Sequence, residues 1–180
     1  MADEQLLNDQ EQARREKLEK YSSTFDIDPY GQAYEVNAHA GEIKEKCFGK
    51  TNEEVDALNL HVSVAGRIKA IRRMGKASFM NLLDKSGNIQ VYMGIDIVGE
   101  KSYDLFRLSD IGDIVGVEGR VMLTRMGEVT IRAEKFVHLS KCLHPLPEKF
   151  HGLTDVEERS RKRYLDLIMN DEARKVAFMR

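Results

Sequence analysis

The sequence has few cysteines and no large excess of either charge, and each of these features excludes some classes of function. Its two cysteines, Cys47 and Cys142, lie far apart with no CxxC spacing and no histidine partner nearby, so we expect neither a metal site nor redox chemistry. A net charge of −2 argues against a coat protein with a wholly basic surface. Any site for nucleic acid would therefore be a local patch.

Long apolar runs are also missing. No stretch is long enough to span a membrane, and the acidic, polar N-terminus lacks the apolar segment of a secretory signal. We therefore expect a soluble, cytoplasmic protein with no membrane partner. With 180 residues, of which 42% are hydrophobic, the chain can form one ordinary domain with appendages.

Residues 61–93 hold most of the chemistry and read as three successive strands. In the first strand apolar residues fall at even positions, which predicts one buried face: Val62, Val64, Ile68 and Ala70. Polar residues lie between them: Ser63, Arg67 and Lys69. Gly75 ends this strand, and the turn sequence of residues 84–88 separates the second from the third. The same alternation buries five further residues: Met80, Leu82, Ile89, Val91 and Met93.

The opposite face of these strands carries Phe79, Gln90 and Tyr92, where a solvated strand would normally carry charges. Six cations surround them, against a single carboxylate at Asp84: Arg67, Lys69, Arg72, Arg73, Lys76 and Lys85. Exposed rings beside cations suit single-stranded nucleic acid, because bases stack on the rings and phosphates meet the cations. The alternative is that Phe79 belongs to the core and the cations form an ordinary solvated face.

The residues after the third strand complete a recognisable order of secondary-structure elements. We predict a loop over residues 94–99, a helix over 100–108, a turn over 109–113 and two strands joined by a hairpin tip at 125–127. Gly116 and Gly119 indicate a bend or bulge in the fourth strand. Three strands, a helix and two strands are the order of a five-stranded OB-fold barrel, which presents its second and third strands to oligonucleotides.

Helices flank the predicted barrel. Residues 1–21 form a charged helix that either docks on a partner or frays, residues 41–48 form a second helix, and a capping box at Thr51 and Glu54 starts a third. Residues 141–150 read as a stiff linker, and Asn170 caps a last helix. We therefore divide the chain into a helical segment (1–60), the barrel (61–140) and a linker with the start of another domain (141–180).

Four segments together resemble the bacterial-type class II lysyl-tRNA synthetase family: VAGRIKAIRRMGKASF (64–79), SGNIQVYM (86–93), LSDIGDIVGVEG (108–119) and LPEKFHGLTDVEERSRKRYLDLI (146–168). The resemblance extends from about residue 51 to the end of the chain. RYLDL (163–167) is shared with the aspartyl and asparaginyl relatives, whereas LPEKFHGL (146–153) is characteristic of the lysine enzyme.

The resemblance implies an anticodon-binding OB-fold followed by the truncated start of a catalytic domain. By position, Phe79 matches the aromatic residue that stacks on the central uridine of the anticodon, and Gln90 matches the amide that reads it. Arg72 and Glu128 match further anticodon contacts. Four more cations are candidates for tRNA backbone contacts: Arg67, Lys69, Arg73 and Lys76.

The resemblance also bears on activity. It implies that the full-length enzyme is a homodimeric lysine–tRNA ligase that charges tRNA(Lys) using ATP and Mg²⁺. This chain lacks the class II motifs and a Gly-rich phosphate loop, so we expect no catalytic residue, no cofactor and no activity in it alone. Two alternatives stay open, namely a stand-alone OB-fold module for single strands and an assembly fragment whose barrel face contacts protein.

Overall fold

The computed structural model describes residues 2–147, 153 and 155–179, and gives side chains from residue 9 onward. It contains two compact units, residues 1–144 and residues 145–180. The three-segment division of the sequence stays a prediction. The side chains of Leu6 and Leu7, two apolar residues of the predicted helix over 1–21, lie outside the described part of the structure.

The first unit contains five helices and five strands among its described residues. In chain order they are α1 (Ala2–Phe25), α2 (Ala40–Cys47), α3 (Asn52–Leu58), β1 (His61–Met74), β2 (Ala77–Leu83), β3 (Asn88–Gly94), α4 (Ile95–Val98), α5 (Glu100–Arg107), β4 (Ile114–Leu123) and β5 (Val129–Ser140). The second unit holds α6 (Val156–Arg161), α7 (Arg163–Met169) and α8 (Asp171–Met179).

The five strands close into a barrel in the order β1-β2-β3-β5-β4. Every neighbouring pair is antiparallel except β3 and β5, which run parallel. The predicted five-stranded OB-fold with helices before and after it is therefore confirmed. The predicted irregularity in β4 is present as well, because the register with β5 shifts between Glu118 and Gly119.

The predicted alternation of β2 and β3 is confirmed, and their inward side chains join the buried core of the barrel. In β1 the alternation is wrong at two positions. Ser63 is buried because residues 34–38 cover it: its Oγ donates to Glu35 O at 2.6 Å and its N donates to Asn37 Oδ1 at 2.8 Å. Ala70 is half-buried because the register with β2 shifts between Ile68 and Ala70.

Residues 94–99 do not form the predicted loop. Ile95–Val98 make one helical turn, in which Gly99 N donates to Ile95 O at 3.0 Å, and Ile95 N donates to Lys76 O at 3.0 Å. Gly99 ends this turn with a φ of 83°, a conformation that glycine adopts without steric cost. The loop prediction, which rested on the glycines at both ends of this segment, is therefore wrong for residues 95–98, which are helical.

Helix α1 packs on the barrel of its own chain, an arrangement that the sequence did not suggest. The Arg14 guanidinium donates to Cys142 O at 2.7 Å and to Ile111 O at 3.1 Å. About two helical turns further along α1, the fully buried Tyr21 stacks on His138 with ring centroids 4.1 Å apart. The helix is therefore anchored by its second half.

A buried ion cluster lies at the same end of the barrel. Lys141 Nζ donates to Asp113 at 2.8 Å and to Asp110 at 2.6 Å, and Lys17 from α1 reaches Asp110 at 2.5 Å. Burial acts to raise the pKa of Asp110, but hydrogen bonds from Lys141 and Lys17 outweigh it and hold the pKa below its ordinary value. Lys141, the first residue of the predicted linker, is thus a buried part of the first unit.

The second unit is organised around Asp166, which is fully buried. Its carboxylate accepts from Arg159 Nε at 2.9 Å and also from Arg163. Asn170 caps α8 as predicted, because its Oδ1 accepts from Glu172 N at 3.1 Å. The arginine-rich segment is therefore neutralised in part by a carboxylate of its own unit.

Candidate nucleic-acid interface

A row of three side chains crosses the outer face of the barrel. Arg72 of β1 lies opposite Phe79 of β2, and Phe79 lies opposite Tyr92 of β3. The two rings are tilted by 60° with centroids 5.3 Å apart, and Arg72 Cζ lies 5.7 Å from the centre of the Phe79 ring. Directly opposed residues on adjacent strands share one face, so the pairing itself produces this row.

Phe79 does not belong to the core. It is half-buried, whereas Ser78 and Met80 on either side of it are buried. The alternative that Phe79 serves the hydrophobic core is therefore wrong. Its ring instead contributes to an outer aromatic surface together with Tyr92, beside a guanidinium that can pair with a phosphate or stack on a base.

The row extends to a residue that sequence reasoning missed. Tyr92 pairs with Arg132 of β5, whose side chain is exposed. The two aromatic residues therefore lie between two arginines, Arg72 and Arg132. Local alternation in β5, with Ile131 and Ala133 buried on either side, could have shown that Arg132 points outward. Its position beside Tyr92 depends on the parallel pairing of β3 with β5, which no local pattern reveals.

A second row, of amides and a hydroxyl, runs alongside the first. Gln90 lies opposite Asn81 on β2 and Thr130 on β5. Thr130 Oγ1 donates to Gln90 Oε1 at 2.8 Å, which orients the amide. The Gln90 Nε2 group carries two N–H donors, and these suit the carbonyl oxygens of a base edge.

Glu128 stands apart from both rows, at the hairpin between β4 and β5. Its N donates to Thr124 Oγ1 at 3.1 Å, and its exposed carboxylate lies 3.9 Å from Lys44 Nζ of α2. Its carbonyl oxygen lies 3.1 Å from Thr130 Oγ1, as a second and longer-range acceptor for the one hydroxyl hydrogen, which connects Glu128 with the row of Gln90. Glu128 therefore lies just before β5, two residues from the Thr130 that pairs with Gln90.

The predicted backbone cations are dispersed. Arg67 Nη1 donates to Gly112 O at 2.8 Å, and Arg73 Nη2 donates to Ser109 O at 2.7 Å, so both guanidinium groups are bonded to the turn before β4. Lys76 is exposed at the β1–β2 hairpin, whereas Lys69 is half-buried. The structure thus brings Arg72, Phe79 and Gln90 together, and the roles of all eight predicted site residues stay predictions.

Asp84, the single carboxylate among these cations, ties α2 to the β2–β3 turn. Its Oδ2 accepts from Ala40 N at 2.7 Å, and its Oδ1 accepts from Ser86 N at 2.7 Å. Burial acts to raise the pKa of Asp84, but these hydrogen bonds outweigh it and keep the pKa below its ordinary value. The carboxylate therefore stays ionised and fixes the position of α2 beside the sheet.

Among the described residues, no group of three or more His, Cys, Asp or Glu side chains is arranged to hold a metal ion. In the same part of the chain, no helix is both long enough and apolar enough to cross a membrane.

Comparison with known proteins gives a consistent result. Residues 62–139 match the tRNA anticodon family, described as an OB-fold nucleic acid binding domain. The chain is 51% identical over 167 residues to the lysine–tRNA ligase of Streptococcus mutans, and 49% identical over 167 residues to that of Streptococcus thermophilus. Each alignment covers 93% of this chain and 34% of the relative. The chain therefore spans about a third of the length of the curated relatives it matches.

Proposed function

We propose that this barrel recognises the anticodon loop of tRNA(Lys). The premise is that residues 62–139 match the family model for OB-fold nucleic acid binding domains, and that the chain is about half identical to part of lysine–tRNA ligases. The observation that carries the proposal is the row of Arg72, Phe79 and Tyr92, which offers two rings and a cation on one exposed face. Unpaired anticodon bases can stack on such rings, whereas paired bases cannot reach them.

The two rows contribute differently to recognition: one stacks on the base and the other forms hydrogen bonds to its edge. A base stacked on Phe79 lies with its edge toward the neighbouring row, where Gln90 supplies amide donors and an acceptor. Stacking contributes affinity for any base, because every base has a π-face. Discrimination in favour of a central uridine comes from Gln90, because hydrogen bonds to a base edge depend on its donors and acceptors.

The proposal also covers the activity of a full-length protein that contains this chain. A full-length protein of this kind would be a homodimeric lysine–tRNA ligase, with ATP and Mg²⁺ bound by a catalytic domain. The 180 residues described by this sequence would bind tRNA without forming lysyl-adenylate, because the sequence holds no counterpart of the class II motifs for ATP and lysine.

Binding of anticodon stem-loops tests the proposal. The chain should bind the lysine anticodon stem-loop more tightly than loops with another central base. Phe79→Ala should weaken binding by roughly 1–3 kcal/mol, the range for one base–aromatic stack. Equal affinity for all loops would instead support a module for single strands without sequence preference. No binding to any RNA would support a protein-contacting surface.

A further inference from the structure

Thr130 lies on the outer face of the barrel, yet its side chain is fully buried. It is paired directly with Gln90 of β3, and the next residue, Ile131, belongs to the core, so the side chain of Thr130 points outward beside that of Gln90. Its exposed fraction is nevertheless 0%. Bulk water therefore does not reach the hydroxyl, and the hydrogen bonds of this group are made inside the protein.

The Thr130 hydroxyl has one hydrogen and two acceptors within reach. Gln90 Oε1 lies 2.8 Å from Thr130 Oγ1, and Glu128 O lies 3.1 Å from it. The carbonyl of Glu128 already accepts from Thr124 N at 3.0 Å, so it does not need this hydrogen. The shorter distance assigns the hydrogen to Gln90 Oε1.

A donor at Oε1 sets the direction of the whole side-chain amide of Gln90. The oxygen and the NH₂ group lie on opposite sides of one planar group, so an oxygen bonded to Thr130 turns the two N–H donors of Nε2 away from Thr130. Half a turn of the amide would place an N–H group against the hydroxyl and move its hydrogen to Glu128 O, at the longer distance. Thr130 therefore favours the orientation in which Gln90 offers donors.

This orientation distinguishes two pyrimidine bases of the same shape. Uracil carries a carbonyl oxygen at position 4, which accepts hydrogen bonds, whereas cytosine carries an amino group there, which donates them. The N–H donors of Gln90 pair with the carbonyl but face other donors when the base is cytosine. An amide that is free to turn would suit both bases, because its oxygen accepts from an amino group.

We propose that Thr130 is a specificity-determining residue, which orients the Gln90 amide so that the barrel binds a central uridine in preference to a central cytidine. This inference rests on the proposed function and deepens it. Because Thr130 is fully buried, it does not touch the base and acts through Gln90 as a positioning residue. Stacking of the base on Phe79 does not depend on it.

The test measures binding of the 180-residue chain to two lysine anticodon stem-loops, which differ only in uridine or cytidine at the central position. Thr130→Val removes the hydroxyl and should narrow the preference for uridine roughly 2-fold to 13-fold, the range for loss of one hydrogen bond. Thr130→Ala places no methyl group against Gln90 Oε1 and should give the same change even if the valine variant does not fold. Thr130→Ser keeps the hydroxyl and should keep the preference.

A double-mutant cycle shows whether Thr130 acts through Gln90. In a chain that already carries Gln90→Ala, Thr130→Val should cause no further change in the preference for uridine. Thr24→Val is the matched control, because Thr24 is an exposed threonine of α1 outside both rows. It should leave the affinity for both loops unchanged. The thermal midpoint of each variant checks that it is folded.

The remaining outcomes separate this inference from the proposed function. If Thr130→Val and Thr130→Ala weaken binding to both loops equally, or change neither, Thr130 does not set specificity, and the proposed function stands as long as the parent prefers the lysine loop. If Thr130→Val still narrows the preference in the Gln90→Ala chain, Thr130 does not act through Gln90 and the inference is wrong. If the parent chain shows no preference for the lysine loop, both fail together.

Discussion

Lys141 Nζ lies 2.8 Å from a carboxylate oxygen of Asp113, and neither side chain is exposed to solvent. The second oxygen of Asp113 accepts from Cys142 N at 2.8 Å. The pair joins the turn before β4 to the residue after β5, so it closes one end of the barrel. Its burial makes it a critical electrostatic contact of the first unit.

Removing the cation of this pair should be strongly destabilising. Lys141→Met leaves two carboxylates, Asp110 and Asp113, without their shared partner, and breaking a buried pair typically costs about 3–5 kcal/mol. Lys135→Met removes an exposed lysine paired with Glu118 and should cost less than about 1 kcal/mol. Urea unfolding of both variants measures the difference. Similar losses would show that burial adds nothing at Lys141.

Acid should destabilise the fold through His138. Burial lowers the pKa of His138 from 6.5 to about 4. The unfolded chain therefore binds a proton that the folded chain does not, so stability is complete above about pH 6.5 and is lost as the pH falls toward 4, by up to about 3 kcal/mol. His138→Phe keeps a ring against Tyr21 and should flatten this part of the stability profile. His144→Phe, at an exposed site, should not alter it.

Gln90 should control discrimination between anticodon loops, whereas Lys76 should control the affinity for all loops. Gln90→Ala should narrow the gap between the lysine anticodon loop and loops with another central base, because an amide reads a base edge. We expect Lys76 to contact a phosphate, so Lys76→Ala should weaken binding to all loops alike and should reduce the salt slope by about 0.7. Titrations at several salt concentrations measure both effects. If both variants changed discrimination equally, Gln90 would not be the reader.

Gly119 should tolerate no side chain. A Cβ atom there would lie 2.1 Å from Arg132 O, a backbone atom that the ladder holds in place. Gly119→Ala should therefore cost at least about 1–3 kcal/mol, as overpacking does. At Gly31 the added atom would lie 2.3 Å from Asp28 Oδ2, the end of an exposed side chain that can rotate away. Gly31→Ala should change the unfolding free energy by less than about 0.5 kcal/mol.

The isolated chain should catalyse no adenylate formation. Lysine-dependent ATP–pyrophosphate exchange needs cationic groups on the phosphates and a site for Mg²⁺. We expect background exchange from the purified 180-residue chain under conditions where the anticodon loop binds. Exchange that survives repurification, and that disappears when Arg159 and Arg163 are replaced, would contradict this expectation.

Local chemistry made much of the fold predictable. The capping box at Thr51 is present as expected, with Glu54 Oε2 accepting from Thr51 N at 2.8 Å. Gly75 and Gly87 take the positive φ angles that their turns require. Each of these features depends on residues within a few positions of one another. Such features, together with period-two alternation, are sufficient to give the order of strands and so the fold.

Contacts between distant parts of the chain were beyond sequence reasoning. The guanidinium of Arg14 is buried against carbonyl groups that lie 97 and 128 residues away, and nothing near Arg14 indicates this. The same holds for Arg132, which lies beside Tyr92 only because β3 and β5 pair. Sequence reasoning therefore predicted the site residues on β1, β2 and β3, which follow one another in the chain. It missed Arg132, which joins the site only through the pairing of β3 with β5.

The parallel pairing of β3 with β5 also has a consequence for folding. β1, β2 and β3 are joined by short turns, as are β4 and β5, whereas Gln90 and Thr130 are brought together across 40 residues. Loop-closure entropy makes such a contact slow to form relative to a local hairpin. A growing chain that has not yet reached residue 130 can hold Phe79 against Tyr92 but cannot orient Gln90. Discrimination between anticodon loops would thus appear only on closure of the barrel, and RNA recognition would serve as a probe of that late folding step.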